Sequence, residues 1–235
     1  MIAHLLFEVL AYAVGFAALR RARRGGDALD GDTRWTLIVV AVLGAAAGSK
    51  VLHHLAHPAE LAARLADPVQ LLGGKTIVGG LLGGWAAVEL AKRRMGVRER
   101  TGDVYVAPLI LGMAVGRVGC FLTGLRDDTY GVATRLALGV DFGDGVRRHP
   151  VQLYEIAFLA ALGGALFLAR HRALAAGTRF RLFLGAYLAF RLGVDFLKPY
   201  ERIGGLGTIQ WACILGLAAL APDAWRGLRG ERSAA

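Results

Sequence analysis

Residues 104–124 read VYVAPLILGMAVGRVGCFLTG, a stretch in which Arg117 is the one charged side chain. As a helix rising 1.5 Å per residue it is about 30 Å long, the thickness of a bilayer's hydrocarbon core. A run this long and this apolar reads as a transmembrane helix. Six further apolar blocks flank it, near 2–19, 35–55, 76–91, 151–169, 180–197 and 206–221. The whole chain of 235 residues is 55% hydrophobic and 20% charged, with mean hydropathy +0.48. A soluble domain carries roughly 25% charged and 45–50% apolar residues. The composition therefore excludes an ordinary soluble enzyme, a disordered chain and a disulfide scaffold. Cys120 and Cys213 both fall inside apolar blocks, where a structural disulfide is not expected.

The formal net charge of +10 is organised by the spans. The first, third and fifth connections carry Arg20, Arg21, Arg23, Arg24 and Arg34, then Lys92, Arg93, Arg94, Arg98 and Arg100, then Arg170, Arg172, Arg179 and Arg181. The tail adds Arg226, Arg229 and Arg232. The even connections mix fewer cations with Glu60, Asp67, Asp127, Asp128, Asp141, Asp144 and Glu201. The positive-inside rule then predicts an all-α, polytopic membrane protein of seven helices, N-terminus outside and C-terminus cytoplasmic. Residues 1–235 form one transmembrane domain in this reading, with 125–150 as an external loop region. The basic residues report topology and attraction to anionic headgroups, with no nucleic-acid partner expected. The first block lacks a basic leader, its arginines follow the apolar run, and it reads as a retained span. With no lipobox-like cysteine near the start, the chain is not expected to be a lipoprotein itself.

Glycines recur at helix-packing spacing in GGKTIVGGLLGGW, where Gly79 with Gly83 and Gly80 with Gly84 make small-xxx-small pairs. A phosphate-loop reading of Gly74, Lys75 and Thr76 fails, because Val69 stands where its first glycine belongs and no strand precedes it.

Ionisable side chains inside a span cost several kcal/mol unless paired or hydrated. Glu8, Lys50, Arg117, Glu155, Arg191 and Asp195 all fall inside the apolar blocks. Arg191 and Asp195, four apart, neutralise each other locally, whereas Arg117 and Lys50 have no evident local partner. Two intramembrane arginines, with no acid beside Arg117 on its own helix, predict a cavity that receives an anion, with Arg117 and Arg191 converging on it. Tyr187, Arg191 and Asp195 recur every four residues on one helix face and form its polar wall. Arginine suits phosphate because its planar fork donates two parallel hydrogen bonds and stays charged when desolvated. In RHPVQLYE (148–155), Pro150 fits the first helical position and Gln152 and Glu155 share the first inward turn. His149 reads as a helix-entry residue ahead of an acid or base, and Tyr154 as an interfacial aromatic.

GRVGCF, HPVQLYE and the Tyr187–Arg191–Asp195 stripe with Lys198-Pro199 together resemble the prolipoprotein diacylglyceryl transferase family. GKTIVGG is similar to that family's S-F-H-G-G region and AYAVGF to its first span, in the same order along nearly the whole chain. The resemblance implies transfer of a diacylglyceryl group from phosphatidylglycerol to the lipobox cysteine thiol of a prolipoprotein, in the bacterial inner membrane, with glycerol phosphate released. It implies catalytic roles for Arg117, Arg191, Asp195 and Glu155. Substrate-binding roles fall to Tyr187, Gln152, Tyr154, Gly131, His149 and Cys120, with no cofactor and no metal site. The departures are polar groups: Val78 stands in place of a histidine, Cys120 and Thr123 in place of asparagines, Leu125 in place of an acid, Glu8 in place of a tyrosine, and Asp195 in place of a glutamate. A phospholipid-binding or transport protein without transfer, or a transferase with another acceptor, are the alternatives.

Overall fold

A computed structural model describes residues 2–25, 29–58, 73–127, 129–199 and 202–228. Glu60, Asp67, Val69, Asp128, Glu201, Arg229 and Arg232 lie outside the described residues. Seven α-helices occur among the described residues: α1 (Ile2–Ala22), α2 (Gly31–Ala56), α3 (Ile77–Met95), α4 (Val106–Thr123), α5 (Val151–Leu168), α6 (Thr178–Val194) and α7 (Thr208–Leu228). Each coincides with one of the seven apolar blocks to within a few residues, except that α7 continues beyond its block. Three helical stretches, Gly31–Ala56, Gly102–Asp127 and Val151–His171, are long and apolar enough to cross a bilayer, and Thr208–Ala221 is apolar over a shorter length. Leu5, Phe16, Trp35, Leu43 and Leu215 are each more than 60% exposed. Outward-facing apolar side chains on such helices, with buried charges inside, are the pattern of a membrane protein.

The chain forms two compact units. The first comprises Met1–Gly26, Arg100–Ala186 and Phe196–Pro199. In it, α1 lies along α4, and α4 packs on α5. The start of α6 is held by a residue far back in the chain: Asp103 accepts the backbone N–H of Gly177 and of Phe180, both at 2.8 Å. These are orphan donors of a helix N-terminus, satisfied here by a carboxylate instead of a local cap. Between α4 and α5 the chain makes a 3-10 turn (Gly124–Asp127) and a two-stranded antiparallel ribbon, β1 (Val140–Asp141) with β2 (Arg147–Arg148). The ribbon was not evident from a loop-like sequence. Arg148 donates to Asp144 at 2.7 Å and holds that carboxyl below the usual carboxylate range.

The second unit comprises Asp27–Glu99, Tyr187–Asp195 and Tyr200–Ala235. Its centre is the α2–α3 pair. Gly79 and Gly83 of α3 meet Gly48 and Gly44 of α2 so closely that a Cβ on Gly48 would strike the Gly79 carbonyl, and one on Gly79 the Gly48 carbonyl. The glycine repeat on α3 thus has a matching pair on α2. At the same junction Ser49 Oγ donates to the Thr76 carbonyl and accepts the Thr76 N–H, both at 2.9 Å. Lys50 Nζ donates to the carbonyls of Gly73 at 3.3 Å and Gly74 at 2.9 Å. The expectation that Lys50 lacks a partner is therefore corrected: the turn into α3 supplies two carbonyls. Gln210 ties α7 to α6, donating to the Leu192 carbonyl and accepting the Gly207 N–H, each at 2.8 Å.

Candidate functional site

In the first unit the site is built from α4, α5 and the segment between them. Arg117 sits one and a half turns before the end of α4, and its Nε lies 2.9 Å from Oε2 of Glu155 in the first turns of α5. Both side chains are buried, Glu155 to 1% exposure, and the contact joins charges without an aligned Nε–H hydrogen bond. Sequence spacing hides this pair, because the partners are 38 positions apart on different helices. The expectation that Arg117 lacks an acid is corrected by it: among the described residues, the two buried arginines, Arg117 and Arg191, each face one buried carboxylate. Arg117 Nη1 also stands 3.7 Å from the Cys120 sulfur, one turn on.

Gln152, 1% exposed, donates from Nε2 to Thr129 Oγ1 at 3.1 Å. Thr129 in turn donates to Asp127 Oδ2. Pro150 is the N-cap of α5, one position earlier than expected, and its carbonyl accepts the N–H groups of Leu153 and Tyr154. His149 shares a hydrogen bond with the Tyr154 hydroxyl at 3.2 Å, and its backbone pairs with Val132 and Gly131. Gly131 is wedged so tightly that a Cβ would come within 2.7 Å of the His149 Cβ and 2.8 Å of the Leu197 carbonyl oxygen. No larger residue fits there without moving the strand that delivers His149 to α5.

In the second unit the stripe on α6 is fully buried. Arg191 donates to Asp195 Oδ1 from Nη2 at 2.8 Å and from Nε at 3.2 Å, and to Oδ2 from Nη2 at 3.1 Å. Its Nη1 reaches the Tyr187 hydroxyl at 3.4 Å. Tyr187, Arg191 and Asp195 are 0%, 3% and 3% exposed. Asp195 lies just past the helix, since α6 ends at Val194 and tightens into a 3-10 turn, Asp195–Leu197. That turn keeps the four-residue register, so the stripe survives the change in helix type. Val78 is completely buried, and Cys213 likewise. Tyr12 is exposed on α1, with its hydroxyl 3.4 Å from Glu8 Oε1.

Thr129, Gln210 and Lys198 are polar residues of these units that residue-by-residue reading missed as site candidates; Gln210 and Lys198 are at most 3% exposed. Thr129 follows two aspartates in a polar loop and Gln210 opens an apolar run, and neither setting singles out a hydroxyl or an amide. Only the packing shows them engaged with a buried partner or a helix end.

A family model described as prolipoprotein diacylglyceryl transferase matches residues 5–222. The chain is 32% identical, over 243 aligned positions, to the phosphatidylglycerol–prolipoprotein diacylglyceryl transferase of Nitratidesulfovibrio vulgaris (strain DP4), covering 94% of this chain and 90% of that protein. It is 32% identical over 225 positions to the protein of the same name from Bordetella parapertussis, covering 87% and 84%. A shorter match, 36% over 163 positions, is to the same-named protein of Teredinibacter turnerae. With the family model matching residues 5–222 and a 32% identical relative aligned over 94% of this chain and 90% of its own length, this chain belongs to the prolipoprotein diacylglyceryl transferase family.

Proposed function

We propose that this chain transfers a diacylglyceryl group from phosphatidylglycerol to the lipobox cysteine of a prolipoprotein. The observation that carries the reading is the family match over residues 5–222, with full-length relatives whose names state those two substrates. The buried arginines support it. In the reaction the thiol loses its proton, the sulfur attacks the glycerol carbon, and a C–S bond forms. The C–O bond to phosphate breaks, and its electron pair leaves with glycerol phosphate. Charge grows on that leaving phosphate, and preorganised guanidinium donors stabilise it at little reorganisation cost. Arg117 and Arg191 fill this role in our reading, with Glu155 and Asp195 orienting the two forks.

The thiol must ionise, since at a pKa near 8.5 only about a few per cent is thiolate at neutral pH. Val78 offers no titratable group, and the carboxylates of Glu155 and Asp195 are occupied by arginines. That favours ionisation assisted by the guanidinium charges over proton removal by either acid. Tyr187, Gln152, Tyr154, His149, Gly131 and Cys120 complete the proposed lining.

The proposal includes seven spans in a bacterial inner membrane, N-terminus outside, with 125–150 external and the arginine-rich connections cytoplasmic. Alternating charge supports it. Cysteine-accessibility labelling should place Asp141 and Arg98 on opposite sides. Complementation tests the activity: the chain should restore precursor processing, read by gel mobility, in a strain depleted of its transferase. Unprocessed precursor, with the protein folded in the membrane, would defeat the reading.

A further inference from the structure

His4 of α1, Cys120 near the end of α4 and Asp127 of the following 3-10 turn bring one ligand atom each to within 4.8 Å of the others. The transfer chemistry uses neither His4 nor Asp127. We infer that these three residues form a binding site for a divalent transition ion of the zinc class. The site shares Cys120 with the proposed substrate lining, and its test reads metal binding without the transfer reaction.

Zinc bonds of about 2.0–2.3 Å at tetrahedral angles place neighbouring ligand atoms about 3.3–3.7 Å apart. His4 Nδ1 and Asp127 Oδ1 are already 3.3 Å apart. That nitrogen is buried from solvent and makes no aligned hydrogen bond among the described residues, and an ion would take the place of the proton between it and Asp127. Cys120 completes the set, its sulfur within 4.8 Å of both other ligand atoms. The outer contacts are those of a metal site, where ligands are oriented by a surrounding layer of hydrogen bonds and carboxylates. Asp127 Oδ2 is held by Thr129, which is held by buried Gln152. The second ring nitrogen of His4, Nε2, faces Glu8 Oε2 at 3.9 Å.

The donor set selects the ion. One imidazole nitrogen, one sulfur and one carboxylate suit zinc and its neighbours, whereas magnesium and calcium take oxygen shells. A thiolate and a carboxylate balance a dication, so the filled site is neutral at the end of an apolar helix. Binding releases the thiol proton to solvent as the metal–sulfur bond forms. Three protein ligands leave a fourth position for water.

Cobalt(II), a coloured surrogate, tests this on the full-length chain in detergent, reduced and without a histidine tag. The chain has two cysteines, Cys120 and Cys213. Wild type and Cys213→Ser should each bind one ion per chain with a sulfur-to-cobalt charge-transfer band, displaced by zinc. Cys120→Ser should lose the band, and His4→Ala and Asp127→Asn should each weaken affinity by about tenfold or more. No band in wild type, a band retained in Cys120→Ser, or affinity indifferent to both other changes overturns the inference. Should Cys120→Ser fail to fold, maleimide labelling of Cys120 in the Cys213→Ser protein decides. Zinc should slow it about tenfold or more, and an unchanged rate overturns the site.

Discussion

Arg117 and Glu155, on adjacent helices α4 and α5, meet at 2.9 Å with both side chains shielded from solvent. A buried pair is a weak contributor as a pair, yet removing one partner strands a charge at a cost of about 3–5 kcal/mol. Glu155→Gln should therefore lower the unfolding midpoint in detergent sharply. Arg117→Met combined with Glu155→Leu should recover part of that loss. A double change as damaging as the sum of the single ones would show that the two charges are not coupled.

Arg191 presents a fork to Asp195 through three donor–acceptor contacts of 3.2 Å or less. Lysine keeps the charge and loses that geometry. A charge-assisted hydrogen bond contributes about 1.5–3 kcal/mol, and about 1.4 kcal/mol is tenfold in rate. Arg191→Lys should slow transfer about tenfold to a hundredfold while the fold persists, checked by initial rates beside a thermal melt. His149→Ala, which alters a helix-entry contact with Tyr154, should slow it less.

Gly48 and Gly164 separate packing from helix propensity. Gly48→Ala drives a methyl into the Gly79 carbonyl, whereas a Cβ on Gly164 meets nothing within 4 Å. Gly164→Ala should raise the unfolding midpoint slightly, since alanine in a helix interior is favoured by about 0.5–1 kcal/mol. Gly48→Ala should lower it. Equal midpoints would contradict the close α2–α3 approach.

Asp103 holds the start of α6 through two backbone N–H groups. Asp103→Ala leaves both without that acceptor, at about 1–3 kcal/mol each where water cannot replace it. Hydrogen exchange at Gly177 and Phe180 should accelerate at least tenfold, with Asp103→Asn intermediate.

Helices were the legible part of this chain, because a span needs a long uninterrupted apolar run and residues such as 104–124 supply one. The Tyr187–Arg191–Asp195 stripe was legible for the same reason: its partners are one turn apart on one helix. Glu155 as the partner of Arg117, and the carbonyls that receive Lys50, were not, since each contact depends on how separate segments pack. The α2 glycines that meet Gly79 and Gly83 were hidden in an alanine-rich run that signals helix and says nothing of its neighbour. The ribbon of the 125–150 segment is turned by Asp141, which accepts the N–H groups of Gly143, Asp144 and Gly145, and so short a turn has no apolar periodicity to mark it.

Transfer of labelled diacylglyceryl from phosphatidylglycerol to a synthetic lipobox peptide, by the purified chain in detergent, tests the central claim most directly. The account predicts a thioether-linked lipopeptide together with an equal amount of glycerol phosphate, and a rate at least tenfold lower for a folded Arg191→Lys protein. A folded wild-type chain that binds phosphatidylglycerol yet releases no glycerol phosphate with any lipobox peptide would contradict it.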